Sequence, residues 1–129
     1  MIAVDTSALV AILLEEPEAA ACSAAIRAEP SLLISSMTVA EALVVADRRR
    51  FGTEMRGLID GMNWVVATVD ASTAARIADV YSRWGKGAHP AGLNIIDCFA
   101  YDLARKNDCP LLYVGNDFAK TDVKSAITP

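Results

Sequence analysis

Four short apolar segments, each ending at a polar or turn-forming residue, constrain the fold most strongly. They span residues 2–4, 31–35, 64–68 and 111–114. They are too short for helices and lack the alternation of a half-exposed strand. Unalternating strands separated by helical segments are typical of a parallel sheet covered on both faces. We therefore predict a three-layer α/β/α sandwich with a short, mainly parallel central sheet.

Helical patterns fill the intervals between these strands. Helices are predicted at residues 6–14, 17–28, 38–49, 53–60, 70–84 and 93–107. The spacing of apolar residues in the fifth helix predicts its inward face. That face comprises Ala74, Ile77, Ala78, Tyr81 and Trp84. Residues 85–92 are a loop by composition, residues 115–117 form a turn, and a last short strand is predicted at 126–128.

Length and composition limit the class of protein. The chain has 129 residues, 53% of them hydrophobic, which predicts one domain over residues 1–129 with a substantial core. Its three cysteines form no CxxC pair and read as free thiols of a reducing compartment. The longest apolar run, residues 8–14, is far too short to cross a bilayer. A cytoplasmic protein without a membrane partner is therefore expected.

Three carboxylates follow the predicted strands at positions where a parallel sheet binds its ligands. Asp5 directly follows the first strand, Glu41 lies in the helix after the second, and Asp117 follows the fourth. Ligands of such folds bind beyond the carboxyl ends of the strands. Asp97 lies in the first turn of a helix that follows a loop, so it joins this edge only if residues 85–92 carry the chain back there.

A cluster of four carboxylates needs positive charge to offset its repulsion. Hard divalent cations with oxygen ligands suit such a set, and Mg²⁺ is the natural choice with Mn²⁺ as a substitute. The sixteen acidic residues exceed the twelve basic ones by four. The acidic balance, which at first disfavours a nucleic-acid ligand, thus equals the charge of the predicted site.

Each acid also has a purely structural interpretation. Thr38 and Glu41 have the spacing of a helix capping box, as do Asn94 and Asp97. Asp5 can be an N-cap and Asp117 part of a turn. The basic run 48–50, together with Arg56, is either a solvated helix end or a contact for a phosphate or a partner.

Several motifs together resemble PIN-domain ribonuclease toxins of the VapC type. The matching segments are Met1-Ile-Ala-Val-Asp5-Thr-Ser-Ala-Leu, Thr38-Val-Ala-Glu41, Gly85-Lys-Gly-Ala-His-Pro-Ala-Gly-Leu-Asn94, Asp97-Cys-Phe-Ala-Tyr101 and Pro110-Leu-Leu-Tyr-Val-Gly-Asn-Asp-Phe118, followed by Thr121-Asp122. They occur in order over nearly the whole chain.

The resemblance implies an endoribonuclease that hydrolyses RNA with a metal-activated water and leaves 5′-phosphate and 3′-hydroxyl ends. Asp5, Asp97 and Asp117 would hold Mg²⁺, and Glu41 would hold a second ion or orient the water. The resemblance also implies support from further residues near the site. These are Thr6, Asn116, Thr121 and Asp122.

The same resemblance implies partners. It predicts inhibition by a VapB-type antitoxin, a homodimer, and a tRNA or a ribosomal RNA loop as substrate. One residue departs from the family pattern, because the position before the third acid is usually small and is Ile96 here. This leaves a non-catalytic PIN-fold module that binds RNA or protein as the alternative.

Overall fold

A computed structural model describes residues 1–127 and contains a four-stranded parallel sheet. The strands are β1 (Ile2–Val4), β2 (Leu32–Ser35), β3 (Trp64–Ala67) and β4 (Leu111–Leu112), in the order β3-β2-β1-β4. In the register, Ala3 of β1 lies between Leu33 of β2 and Leu111 of β4. The predicted parallel sheet is thus confirmed.

Six α-helices and one short 3₁₀ helix connect the strands. They are α1 (Thr6–Leu13), α2 (Ala19–Ala28), α3 (Ser36–Arg48), α4 (Gly52–Asp60), α5 (Ala71–Trp84), α6 (Ile95–Lys106) and the 3₁₀ helix Phe118–Lys120. The third helix begins two residues before the predicted start because Ser35 caps it, its hydroxyl accepting the N–H of Met37 over 3.2 Å. The second begins after the turn that contains Pro17 rather than within it.

The order of the strands separates the helices into two layers. The chain steps from β1 to β2 to β3 in one direction and then returns to place β4 on the other side of β1. Side chains of α1–α4 form one core cluster against the sheet, and those of α5 and α6 form the other. The predicted three-layer sandwich is confirmed, and its topological switch point lies between β1 and β4.

The two faces of β3 are less covered than predicted. Val65 and Val66 point to opposite faces, and they are 54% and 46% exposed. The reason is position, because β3 is the edge strand and the helices cover the central strands.

The inward face of α5 is also rotated from the prediction. Thr73, Ile77 and Trp84 are buried and Val80 is partly buried, whereas Ala74, Ala78 and Tyr81 are exposed. Ile77 and Trp84 were predicted correctly, and these two large side chains set the face. Exposure of an alanine side chain to solvent costs little free energy, and a tyrosine can be exposed because its hydroxyl forms hydrogen bonds with water.

The end of the chain contains less strand than predicted. The fourth strand stops at Leu112, and residues 126–127 form no strand. A single parallel bridge joins Leu111 to Ser125, with the N–H of Ala126 donating to the carbonyl of Leu111 over 2.9 Å. Thr128, the last residue of the predicted strand, lies outside the described residues. Within the described part of the chain, each helix is too short or too polar to cross a bilayer.

Candidate functional site

Asp5 lies where β1 ends and α1 begins, and it is the N-cap of that helix. Its Oδ2 accepts the backbone N–H of Ser7 over 3.0 Å and the Ser7 hydroxyl over 2.7 Å. The side chain is almost fully buried. Burial raises the pKa of Asp5, the two Ser7 bonds oppose that rise, and the negative charge of Glu41 adds to it. The capping interpretation is confirmed, and the carboxylate is also held at the carboxyl edge of the sheet.

Asp97 also has a structural role and a charged neighbourhood. Its Oδ2 accepts the N–H of Asn94 over 2.9 Å, while its own N–H donates to Asn94 Oδ1 over 2.8 Å, so the predicted capping box is confirmed. Burial, which is the largest cause, and the negative charges of Asp5, Glu41 and Asp117 together raise the pKa of Asp97 to about 6, against the opposing effect of the Asn94 bond. These four acids therefore share one electrostatic environment.

The loop at residues 85–92 meets the condition set for Asp97. Lys86 donates its N–H to the carbonyl of Leu93 over 2.9 Å, and Leu93 donates to the carbonyl of Trp84 over 3.1 Å. The loop thus closes on itself, and α6 begins beside the end of α5. The charges of Asp5, Glu41 and Asp117 act on Asp97, so the helix starts at the edge where these acids follow the strands.

Glu41 and Asp117 are not held by caps. The capping-box interpretation of Glu41 is wrong, because Ser35 caps α3 and Thr38 already lies within the helix. Asp117 precedes the 3₁₀ helix without a side-chain capping bond. Among residues 1–127, none of the four acids has a basic group within 4.0 Å. Their charge is therefore uncompensated by the described chain.

Ser7 is the residue that the sequence did not reveal. Besides donating to Asp5, its Oγ accepts the N–H of Val114 over 3.0 Å. One side chain thus joins the end of β1 to the segment after β4. The Asp-x-Ser spacing at a helix start points to the local bond, but the contact with Val114 spans 107 residues and has no signal in the sequence.

The predicted supporting residues fall into different surroundings. Thr6 is buried, and its hydroxyl donates to the carbonyl of Thr38 over 3.4 Å, which ties α1 to α3. The Thr121 hydroxyl closes a turn by donating to the carbonyl of Phe118 over 2.7 Å. Asn116 is exposed beside Asp117.

Asp122 belongs to a separate network. Its Oδ1 accepts the hydroxyl of Tyr101 over 2.5 Å, and that hydroxyl accepts the indole N–H of Trp84 over 3.0 Å. Arg83 and Arg105 lie 3.7 and 3.9 Å from Asp122 Oδ2. Its charge is thus compensated by two guanidinium groups, unlike the four acids around Asp97.

The donor set suits a hard divalent cation, although the carboxylates do not form a closed cage. Within residues 1–127, no three Asp, Glu, His or Cys side chains stand together as a ready ligand set. Mg²⁺ characteristically keeps several of its waters and takes only one or two carboxylates directly. Four carboxylates without a basic partner, one of them almost fully buried, are compatible with an ion that is held partly through its own waters.

Comparison with known sequences places the chain in a family. The PIN domain model matches residues 2–124. Ribonuclease VapC30 of Mycobacterium tuberculosis is 39% identical over 132 residues, covering 98% of each chain. Ribonuclease VapC of Mycolicibacterium smegmatis is 40% identical over 126 residues, covering 93% of this chain and 95% of that protein.

Solved structures agree in fold. VapC20 of Mycobacterium tuberculosis, a sarcin-ricin loop cleaving toxin, superposes with a TM-score of 0.79 at 17% identity and covers 100% of both chains. A chain of a toxin–antitoxin complex from Klebsiella pneumoniae gives a TM-score of 0.71 at 18% identity, covering 95% of this chain and 93% of that one. The parallel sheet and the sequence matches agree: the chain belongs to the PIN domain family and, within it, to the VapC proteins.

Proposed function

We propose that this chain is an Mg²⁺-dependent endoribonuclease toxin, with Mn²⁺ as a substitute ion. The observation that carries the proposal is the shared environment of Asp5, Glu41, Asp97 and Asp117, whose charges act on one another without a basic partner. The names of the relatives, which are ribonucleases, support RNA as the substrate.

Each acid has a part in this activity. Asp5, Asp97 and Asp117 would hold Mg²⁺, and Glu41 would hold a second ion or orient the attacking water. When bound, the ion lowers the pKa of water and offsets negative charge on the phosphate. Ser7 supports the ionised form of Asp5 through two hydrogen bonds. Thr6 and Asn116 flank the acids, and Thr121 and Asp122 support the segment after them.

Partners follow from the same acidic site. A VapB-type antitoxin would inhibit the protein by placing a basic side chain among the carboxylates, where it competes with Mg²⁺ through charge. The toxin–antitoxin complex among the structural neighbours supports this kind of partner. A homodimer, and a tRNA or a ribosomal RNA loop as the substrate, complete the proposal.

Cleavage of an end-labelled RNA by the purified protein tests the function. We expect cleavage with Mg²⁺, none in excess EDTA, and products with 5′-phosphate and 3′-hydroxyl ends. Asp5→Asn should abolish cleavage, whereas Asp79→Asn, at an exposed position on α5, should leave it unchanged. A 2′,3′-cyclic phosphate product would refute the water mechanism. RNA binding without cleavage under all these conditions would favour the non-catalytic module.

A further inference from the structure

Three consecutive arginines at the end of α3 remain without acidic partners. Among residues 1–127, no carboxylate lies within 4.0 Å of Arg48, Arg49 or Arg50, and all three are exposed. Four other arginines are in ion pairs with aspartates, namely Arg56, Arg76, Arg83 and Arg105. The Arg49 guanidinium lies 5.9 Å from the ring centroid of Phe51. The cluster therefore offers charge that the described chain does not use.

Helix geometry relates this cluster to the acidic site. Glu41 and Arg48 are seven positions apart, which is close to two turns, so they lie on the same face of α3 and about 10.5 Å apart along its axis. Val44, between them, is 55% exposed. The face from Glu41 to Arg48 is thus open, and its length is one that a short stretch of single-stranded RNA can span.

We propose that the RNA strand leaving the acidic site follows this face of α3 as far as Arg48, and that Arg48 binds its phosphates together with Arg49 and Arg50, which follow directly after the end of the helix. The choice of RNA rests on the proposed function. The carboxylates repel a polyanion, so additional cations are needed to retain it. Guanidinium groups suit this task because their planar donors match phosphate oxygens in pairs.

The backbone at Arg50 offers a sharp test. Arg50 has φ 67°, in the left-handed region, and ends α3 with the N–H of Phe51 donating to the carbonyl of Ala46 over 2.9 Å. Glycine is preferred at this helix-end position. Glu15 ends α1 in the same way, with φ 53° and the N–H of Glu16 donating to the carbonyl of Ala11 over 2.9 Å.

Two glycine variants therefore separate backbone relief from loss of charge. Arg50→Gly relieves the left-handed backbone and removes a cation, whereas Glu15→Gly provides the same relief at α1 and leaves the cluster intact. Both should raise the melting temperature. Arg48→Ala removes a second cation without a backbone change, and Arg27→Ala is its control at the end of α2, where Arg27 is exposed.

The measurement is fluorescence anisotropy with a short fluorescein-labelled single-stranded RNA, in EDTA so that no cleavage occurs, over a series of KCl concentrations. Arg50→Gly and Arg48→Ala should each weaken binding roughly fivefold, the loss of one exposed ionic contact. Each should also reduce the slope of log affinity against log salt by about 0.7. Glu15→Gly and Arg27→Ala should bind as the wild type does.

Wild-type affinity and salt slope in both arginine variants would overturn the proposal, as would the absence of RNA binding by the wild type. If the arginine variants bind RNA normally but no longer bind a VapB-type antitoxin, the cluster is a protein interface instead. Failure of the proposed function gives a different result. In that case the wild type does not cleave RNA with Mg²⁺, but the arginine variants still bind RNA more weakly than the wild type does. If the protein cleaves, Arg48→Ala should raise KM and leave kcat unchanged.

Discussion

The hydroxyl of Ser7 donates to Oδ2 of Asp5 over 2.7 Å, and the backbone N–H of Ser7 donates to the same oxygen over 3.0 Å. The hydroxyl also accepts the N–H of Val114 over 3.0 Å. Burial raises the pKa of the Asp5 carboxyl group, and the two hydrogen bonds from Ser7 oppose that rise. A small side chain next to the candidate site thus favours the charged form of its most buried acid, and it joins the start of α1 to the segment after β4 at the topological switch point.

Replacing Ser7 by alanine should weaken the site without removing an acid. Ser7→Ala removes a donor to Asp5 and leaves the N–H of Val114 without its acceptor, so the pKa of Asp5 should rise further. We expect a decrease of roughly 10- to 100-fold in Mg²⁺ affinity, as for other residues that orient metal ligands. A titration of the cleavage rate with Mg²⁺ measures it. Ser82→Ala, at an exposed serine of α5, is the control, and an unchanged Mg²⁺ midpoint in Ser7→Ala would contradict the role.

Asp97→Asn should abolish cleavage and yet stabilise the metal-free protein at neutral pH. The substitution removes a partly buried charge that Asp5, Glu41 and Asp117 repel, while the amide oxygen can still accept the N–H of Asn94. In EDTA the melting temperature should rise by roughly 2–5 °C.

The matched control is Asp47, an aspartate whose negative charge is favourable rather than repelled. Asp47 is exposed and its carboxylate accepts two hydrogen bonds from Arg56, which lower the pKa of Asp47. Asp47→Asn should therefore not stabilise the protein at neutral pH. A melting temperature in Asp97→Asn at or below that of the wild type would show that repulsion at Asp97 is unimportant.

Stability without metal should depend on the protonation of Asp97. Its pKa is raised from 3.8 to about 6 in the folded protein, so between these values the folded state binds more protons than the unfolded state. The stabilising contribution is complete below pH 3.8 and is lost as the pH rises to about 6. Denaturant unfolding in EDTA across this range should show that loss, and Asp97→Asn should reduce it.

Mg²⁺ binding should have the reverse dependence on pH. A protonated Asp97 is a poor ligand for a hard cation, so Mg²⁺ affinity should fall as the pH decreases below about 6. The Mg²⁺ concentration that gives half-maximal cleavage, measured from about pH 5 to pH 7.5, tests this expectation. A half-maximal concentration that does not change with pH would argue against Asp97 as a ligand.

Asp122→Asn should affect stability more than chemistry. The carboxylate accepts the hydroxyl of Tyr101 and lies near Arg83 and Arg105, so its loss weakens a network between α5, α6 and the last segment. We expect a loss of about 1 kcal/mol in the free energy of unfolding, as for one hydrogen bond. The value of kcat should change less than twofold. A large decrease in kcat with unchanged stability would place Asp122 among the catalytic acids instead.

Within residues 1–127, local signals predicted the six α-helices and the four strands, but also a further strand that residues 126–127 do not form. They did not predict which face of α5 is buried. The lengths of the apolar segments predicted parallel strands, and the Asn94-x-x-Asp97 spacing predicted a capping box that is present. The same spacing at Thr38 and Glu41 failed because Ser35, three residues earlier, provides the cap. On α5, periodicity did not distinguish the buried Ile77 from the exposed Ala78, because an alanine fits either environment.

The sequence by itself determined the alternation of strand and helix, and hence the parallel sandwich and the acids that follow its strands. It did so because a strand buried on both faces needs consecutive apolar residues, and a helix start needs a capping side chain. Both signals lie within a few positions of the chain. Only the tertiary structure decided that β3 is an exposed edge, that Asp97 joins the other acids and that Ser7 reaches Val114. Those features depend on the order of strands in the sheet, which brings together residues that are distant along the chain.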